Sequence, residues 1–490
     1  MHQVPQVLLK RTLLSFSTRS LRRPKYTPLT WVLIITILMI AALQPVESPN
    51  NAHTMSSETS PALELTLSPP GGYYDQDVEV KIIAPSYTGD KRSQVIFTAD
   101  GSTPTPSTGT LYTQPVRLSA DTPAVTVIRA RALSPDGEPG PVVSASYFVG
   151  MQTTLPMVSL IVEPDDLWDP QHGIYANPHQ RGKAWERPVD VTYVDQDRRR
   201  GFHVPAGVRV PGHGSRSYAK KSLRLYFRQE YGAGRLEYSL FDHSDVRSFK
   251  RLVLHNGGQD CHTPIRDNWT LMRNQLADRL AFQLGLHATH SRPVLLFING
   301  KPWGIYHIRE RVDTWFLADH YGIESADFLD SPEHVRERDV IAGDRESWDR
   351  LQDFLESHDL ADPDNYAYVQ SQVDVANLID YTALQIYAAN VDWPHHNAHL
   401  FRPRVQGGRW RWLVWDTEHG FGLNPGGDVS SDLIDQLLEF WHPETKQRDT
   451  LLWRKLFASP LFLEQFLSRT ADLLNTTFAP QSVVAHVDAL

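Results

Sequence analysis

At Leu155 the texture of the chain changes, and that change limits the architectures open to it. Upstream, the short runs VEVKIIA, SQVIFTADGS, TLYTQPVRLSA, AVTVIRARAL and VVSASYFVG alternate apolar and polar residues, with Gly, Pro and Asp between them. Side chains on a strand alternate faces, so this period predicts a small antiparallel β-sandwich over 61–150. Downstream, LRLYF, RLVLHN, PVLLFING and WRWLVWD still read as strands. NWTLMRNQLADRLAFQLG, SWDRLQDFLESH and VANLIDYTALQIYAAN instead space apolar residues three and four apart, as helices do. Leu351, Phe354 and Leu355 share one helical face, and Leu378, Ile379 and Leu384 another. Strands mixed with long helices over 155–490 predict an α+β domain of catalytic size. A chain of 490 residues exceeds what one core normally supports, and its 41% hydrophobic content is enough for more than one.

The first 60 residues follow neither pattern. Lys10, Arg11, Arg19, Arg22, Arg23 and Lys25 precede the apolar run WVLIITILMIAAL, Trp31 to Leu43. That run falls short of the roughly 20 residues a spanning helix needs. Region 1–50 therefore reads as a secretory signal peptide or an uncleaved N-terminal membrane anchor, followed by a Ser/Pro/Asn-rich linker at 51–60. Both readings export the remainder as a secreted, periplasmic or cell-surface protein, with 31–43 as a membrane tether in the second. Cys261 is the only cysteine, so no intrachain disulfide forms. A formal charge of −9 argues against a dedicated nucleic-acid binder and leaves any phosphate chemistry to local cations. The closing PQSVVAHVDAL breaks off inside a helical pattern with no stop signal, as in a C-terminally truncated domain.

Two polar stretches carry the chemistry, NVDWPHHNAHLFR from Asn390 to Arg402 and VWDTEHGFG from Val414 to Gly422. Phosphoryl transfer needs a carboxylate to take the proton of an attacking hydroxyl. It also needs hard oxygen ligands for Mg²⁺ and a cation for the phosphates. Asp392, Asn397 and Asp416 follow the order Asp, Asn, Asp of protein kinases, with the first spacing preserved. HLFRPRV and RWRWLVWD, joined by Gln406-Gly407-Gly408, predict a hairpin that returns Asp416 beside the Asp392 loop. Asp392 equally suits a helix cap or a loop that braces itself. His395 and His396 are adjacent and point apart, and no His-x3-His or Cys pair supports zinc there.

Upstream, AGVRVPGHGSRSYAKKSLRLYF gathers Gly207, Gly212, Gly214 and Ser215 with Arg209, Arg216, Lys220 and Lys221 before a strand. Glycines admit close approach of backbone N–H groups to an anion, although the same composition makes a solvated basic hairpin. Neither a Walker loop nor a dinucleotide fingerprint is present. In NGKPWGIYHIRERVDTWFLADHYG, Asn299-Gly300 signals a hairpin and the pattern turns helical near Glu310. Glu310 can pair with Lys221, or with Arg309 or Arg311. In FTADGSTPTPSTGTLY, Asp100-Gly101 predicts a tight turn braced by Ser102 and Thr103, with Tyr112 a candidate sugar contact.

From Leu155 to about Gly422 the chain resembles the spore coat protein H (CotH) kinase family. The resemblance runs in family order through LPMVSLIVEPDDLWD, GIYAN, WERPVDVTYVD, AGVRVPGHGSR, KKSLRLYF, NGKPWGIYHIRERVD and VWDTEHGFG. FTADGSTPTPSTGTLY is similar to the β-sandwich modules at the ends of chitobiases and hexosaminidases. The resemblance implies an atypical, reduced protein-kinase-like domain that uses ATP with Mg²⁺ or Mn²⁺. Its substrates would be Ser and Thr of secreted or envelope proteins, itself included. Carried over by motif, Asp392 is the catalytic base, Asp416 the principal metal ligand and Asn397 the second. Glu418 stands where the family has another Asp. Lys221 contacts phosphate with Glu310 as its partner, and Arg209, Ser215 and Gly214 line the phosphate end. The 61–150 module implies polysaccharide contact. Two other classes remain: a non-catalytic surface or polysaccharide-binding protein, and a glycoside hydrolase built on Asp392 and Asp416. The hydrolase leaves Asn397 and the basic glycine loop without a role.

Overall fold

The computed structural model of the protein describes residues 65–84, 94–262, 267–331, 340–394, 396–424, 430–439 and 450–490. The signal or anchor region 1–50, the linker at 51–60 and His395 lie outside the described residues. Among the described residues no helix is long and apolar enough to cross a membrane.

Strands β1 (Thr66–Ser68), β2 (Gly72–Tyr74), β3 (Val78–Ile83), β4 (Gln94–Thr98), β5 (Thr110–Leu111), β6 (Val116–Leu118), β7 (Ala124–Leu133) and β8 (Pro139–Val149) come first. They form two sheets, β1-β3-β6 and β2-β8-β7-β4-β5. The alternation in VEVKII is realised residue by residue along β3, buried then exposed. It sets Val78 and Val80 against Ile128, Ala145, Tyr147 and Val149 of the facing sheet. Pairing is antiparallel throughout except between β2 and β8.

Next come β9 (Met157–Ile161), helix α1 (Pro164–Trp168), β10 (Arg187–Val194), β11 (Gly201–Arg209), β12 (Leu223–Tyr226), a short ladder of β13 (Leu236–Glu237) with β14 (Ser248–Phe249), and β15 (Arg251–His255). Helix α2 (Arg273–Gln283) precedes the hairpin of β16 (Ser291–Ile298) and β17 (Lys301–Glu310). Seven of these strands close into a barrel, β10-β11-β12-β15-β17-β16-β9. The closure rests on β9, which pairs antiparallel with β10 and parallel with β16. Val191, Val208, Leu225, Leu254, Leu296 and Ile308 fill the interior, each burial contributing about 1.5–3 kcal/mol. At the β16–β17 turn Asn299 has φ +50° and Gly300 φ +76°. A two-residue hairpin loop of this kind requires positive φ at both central positions, and Asn-Gly meets that demand.

Sandwich and barrel share a core. Val125 and Phe148 pack with Met157, Val194 and Phe297, and Ser146 and Ser159 bond through their hydroxyls at 2.8 Å. The Asp100–Thr103 turn lies in this contact. Asp100 Oδ1 accepts from the Ser102 amide and hydroxyl at 3.0 and 2.6 Å. Thr103 donates to Glu163, which also takes Arg129 Nη1 at 2.8 Å. Tyr112 packs edge-on against Phe97 at 6.3 Å.

The remainder is mostly helical. Helix α3 (Thr314–Tyr321) leads into β18 (Ala326–Asp330) and β19 (Val340–Ala342), then α4 (Glu346–Ser357), α5 (Pro363–Gln372) and α6 (Val375–Tyr387). The hairpin of β20 (His399–Pro403) and β21 (Arg411–Leu413) completes a sheet of order β19-β18-β20-β21. Helices α7 (Leu433–Glu439), α8 (Leu451–Phe457), α9 (Pro460–Asn475) and α10 (Pro480–Asp488) follow. Leu351, Leu355, Leu378, Ile379 and Leu384 are buried against Trp348, Trp410, Trp412 and Trp453, with Phe354 at the margin. Asp313 caps α3 by accepting from Trp315 N and Phe316 N.

Candidate active site

After α6 the chain turns through Asn390, whose Nδ2 donates to Gln385 Oε1 at 2.9 Å and whose Oδ1 accepts from Asp392 N at 3.3 Å. Asp392 in turn accepts from Asn397 Nδ2 at 2.8 Å, with His396 Nδ1 at 3.4 Å. Committing the Asn397 nitrogen to Asp392 leaves the amide oxygen, a hard donor, for another partner. In the β20–β21 ladder His399 pairs with Leu413, and the His399 ring stacks on Trp415 at 5.6 Å. Asn397 and Asp416 therefore leave the same end of one hairpin. Phe421 N donates to Ala388 O at 2.6 Å, tying the segment after Asp416 to the end of α6. The two loops adjoin, as the hairpin spacing predicts.

Asp416 holds φ +54°, an uncommon conformation for a residue with a Cβ. Its Oδ1 is buried without a hydrogen-bond partner. Glu418 is buried, its Oε1 accepting from Gln259 N at 2.8 Å and its Oε2 from Asn274 Nδ2 at 3.0 Å. Burial first, and the Asp416 carboxylate second, push the Glu418 carboxyl well above its ordinary range. Two adjoining carboxylates in such a place are stabilised by a proton or a cation between them. Because a bound cation displaces that proton, affinity for it rises with pH.

Asn274 sits in the first turn of α2 and also accepts from Thr417 N at 2.8 Å. Asp260 fixes this end of α2, accepting from Thr270 N at 2.7 Å and from Met272 N and Arg273 N at 3.1 Å, and pairing with the Arg273 guanidinium. Between β15 and Asp260 runs a glycine turn, closed from beyond it by Cys261 Sγ, which donates to Gly258 O at 3.1 Å. Polar atoms of His255, Asp416 and Glu418 gather within 4.8 Å. The Gly257 amide donates to His255 Nδ1 at 3.2 Å. Burial, reinforced by Arg309, holds that imidazole well below its usual pKa and neutral. Its proton then lies on Nε2, 3.9 Å from Glu418 Oε2. At 3.9 Å His255 makes no hydrogen bond to Glu418, and with Nε2 protonated it offers no lone pair, so the ligand set is oxygen only, as Mg²⁺ prefers. Sequence reasoning missed His255, Asn274 and Asp260. Only the Gly257-Gly258 turn after a strand could have drawn attention to the first.

The basic glycine loop differs from expectation. Gly214–Ser217 forms one tight turn, with Gly214 exposed and Ser215 half-buried. Arg216 is buried and donates to Gly212 O at 2.6 Å, to Gln180 O at 2.9 Å and to Pro178 O. Lys221, also buried, donates to Arg216 O at 2.9 Å and Tyr218 O at 2.7 Å. Both cations therefore brace the loop from beneath. Arg209 faces buried Glu186 at 3.3 Å and stacks over Tyr226 at 4.0 Å, so it too holds the scaffold. The expected Lys221–Glu310 pair does not form. Glu310 is held instead by His290 Nδ1 at 3.1 Å and His320 Nε2 at 2.6 Å. Lys221, just ahead of β12, is committed to those two loop carbonyls with its ammonium over Tyr175 at 5.5 Å, which leaves Glu310 to the two imidazoles. Ser222 Oγ donates to Asn256 Oδ1 at 2.8 Å. The Lys220 ammonium donates to Ile305 O and lies over Tyr306 at 4.5 Å, and its charge adds to that of Arg309 in lowering the His255 pKa. Lys220 is thus the lysine on the side of the carboxylate pair.

The family model described as CotH kinase protein matches residues 208–490, more than half of the chain. The chain belongs to the CotH kinase family. A second model, described as Fn3 associated, matches residues 86–147, within the sandwich. No curated protein matches the chain. Membership in the CotH kinase family points at a general level to a kinase-like function and to use of a nucleotide and a divalent metal.

Proposed function

We propose that the chain transfers the γ-phosphoryl group of ATP, bound with Mg²⁺ or Mn²⁺, to Ser or Thr of secreted or envelope proteins, itself included. The observation that carries this reading is the unpartnered buried oxygen of Asp416 beside Glu418, on a loop tied to the one that holds Asp392 and Asn397. Asp416, Glu418 and Asn397 Oδ1 would hold the cation. When bound, that cation neutralises charge on the phosphates during transfer. Asp392, oriented by the Asn397 amide, accepts the proton of the attacking hydroxyl. The Gln259 amide and Asn274 Nδ2 keep Glu418 in place. Lys220 supplies the positive charge that Lys221 and Arg209 do not, and exposed Gly214 with Ser215 offers backbone to the phosphate end.

The insertion of α2 between β15 and the β16–β17 hairpin, ahead of a largely helical half, supports a reduced kinase-like arrangement. The basic stretch and apolar run of 1–50 support export, with a tether if the run is retained. Polysaccharide contact through the sandwich would use a surface other than the Asp100–Thr103 turn, which packs on Glu163.

Labelled ATP with and without Mg²⁺ or Mn²⁺ tests the reading on wild type, Asp392→Ala and Asp416→Ala. Label should reach Ser or Thr only in the wild type. Asp392→Ala should keep metal-dependent ATP binding, and Asp416→Ala should lose most of it. Equal ATP binding by wild type and Asp416→Ala removes the metal role. Wild type that neither labels nor binds ATP is instead a non-catalytic surface or polysaccharide-binding protein.

A further inference from the structure

Glu310, assigned to phosphate binding by sequence resemblance, has another set of neighbours. It ends β17 and is almost wholly buried. His290, just ahead of β16, and His320, in the last turn of α3, converge on its two oxygens from separate elements. We propose that His290, Glu310 and His320 form a binding site for Zn²⁺ or a similar divalent ion such as Co²⁺ or Ni²⁺. None of these residues belongs to the Asp392–Glu418 region, so the inference stands apart from the kinase reading.

The proton count supports a cation. His290 Nε2 lies 3.2 Å from the carbonyl oxygen of His243, which can only accept. The ring proton of neutral His290 is therefore on Nε2, and the Nδ1 lone pair faces Glu310 Oε2 at 3.1 Å. Two acceptors at that distance repel unless a second proton or a cation lies between them. A carbonyl-anchored imidazole whose other nitrogen faces inward is the usual support of a metal-bound histidine. The 3.1 Å gap is close to the separation, about 3.4 Å, of two tetrahedral ligands at ~2.1 Å from zinc, whereas His320 Nε2 and Glu310 Oε1, hydrogen-bonded at 2.6 Å, must part by roughly 0.8 Å to admit the ion. Ligand atoms of all three residues lie within 4.8 Å of one another.

Ligand type selects the ion. Two imidazoles and one carboxylate suit zinc and its neighbours in the first transition row, whereas Mg²⁺ and Ca²⁺ favour oxygen. Strand ends and helix α3 position the three groups; Phe282 stacks on the His290 ring and Phe316 packs tilted against that of His320, each at 4.6 Å. Both histidines line a groove of about 610 Å³ that also includes His287 and Tyr321. With three ligands from the protein, a fourth position opens toward that groove for water or an anionic group.

The test uses the full chain, stripped with chelator, supplied with Zn²⁺, desalted and measured for metal per chain. Wild type and Asp416→Asn should each retain about one equivalent at this site, and His320→Asn should lose it. Added zinc should raise Tm in the first two and not in the third. Should His320→Asn not fold, the Co²⁺ form of the wild type decides: intense visible bands of a four-coordinate ion support the site, and their absence overturns it. Equal zinc retention by wild type and a folded His320→Asn overturns the proposal. So does a wild type that retains none, in which case the cluster is a protonated histidine–carboxylate ion pair.

Discussion

Gly258→Ala tests the Glu418 carboxylate directly, because the two meet without an intervening atom. Gly258 has φ +55°, and a Cβ built on it would overlap both carboxylate oxygens of Glu418. The carboxylate is not free to swing away, being held by the Gln259 amide at 2.8 Å and Asn274 Nδ2 at 3.0 Å. The left-handed backbone costs an alanine roughly 1 kcal/mol. Forcing a methyl group into a packed site adds about 1–3 kcal/mol. The variant should therefore lose about 2–4 kcal/mol of stability. Gly407→Ala is the control, with φ +71° and open space around its Cβ, so that only the backbone part applies. Urea unfolding of the two variants, with m compared to confirm a common unfolded state, isolates the contact. Mg²⁺ or Mn²⁺ titration on the same samples gives the functional half. Gly258→Ala should bind the cation about tenfold or more weakly, the usual consequence of disturbing a ligand's support, and Gly407→Ala as wild type. Equal stability losses with unchanged cation binding in both would refute a placement of Glu418 in the cation site.

Lys221→Met should lose about 1–3 kcal/mol, since two buried carbonyl oxygens lose their donor, whereas Lys220→Met should weaken ATP binding with little loss of stability. The reverse pattern in denaturant and nucleotide titrations would return the phosphate role to Lys221. Removal of residues 1–150 uncovers Met157, Val194 and Phe297. The remaining 151–490 should unfold at lower denaturant than the full chain, although the composition of the sandwich alone suggests an accessory that turnover does not need. An unchanged midpoint would show that the shared core contributes nothing.

What the chain reveals locally and what it withholds follow from the range of each interaction. Strand β3 and helix α6 are legible because alternation and three-to-four spacing are properties of consecutive residues. The Asn299-Gly300 turn is legible because few residue pairs tolerate positive φ twice. Barrel closure is not, since the parallel pairing of β9 with β16 joins residues over a hundred positions apart and leaves no local mark. Helix α2 shows a different blindness. Its Arg273, Asn274 and Asp278 are buried, and a rule that reads apolar residues as inside assigns them to solvent.

The two acidic positions and the two lysines separate these cases most clearly. Asp416 and Glu418 are two residues apart, so their carboxylates are neighbours whatever the local backbone, here left-handed at Asp416, and their repulsion is written into the sequence. Burial then turns that repulsion into a requirement for a cation or a proton. Lys220 and Lys221 are adjacent and stand just ahead of β12, so no strand period says which of them the loop carbonyls take. That depends on the Gly214–Ser217 turn and the residue after it, which offer Arg216 O and Tyr218 O to Lys221, and on β17, which offers Ile305 O to Lys220. Glu310 depends on still more, because His290 and His320 reach it only when β16, β17 and α3 have all been placed. A site residue is therefore legible in proportion to how few elements must meet before its neighbour is known. On that ground the meeting of the Asp392–Asn397 loop with the Asp416 loop, which a single hairpin brings about, is legible in the sequence, and the partners of Lys221 and Glu310, which need most of a barrel, are not.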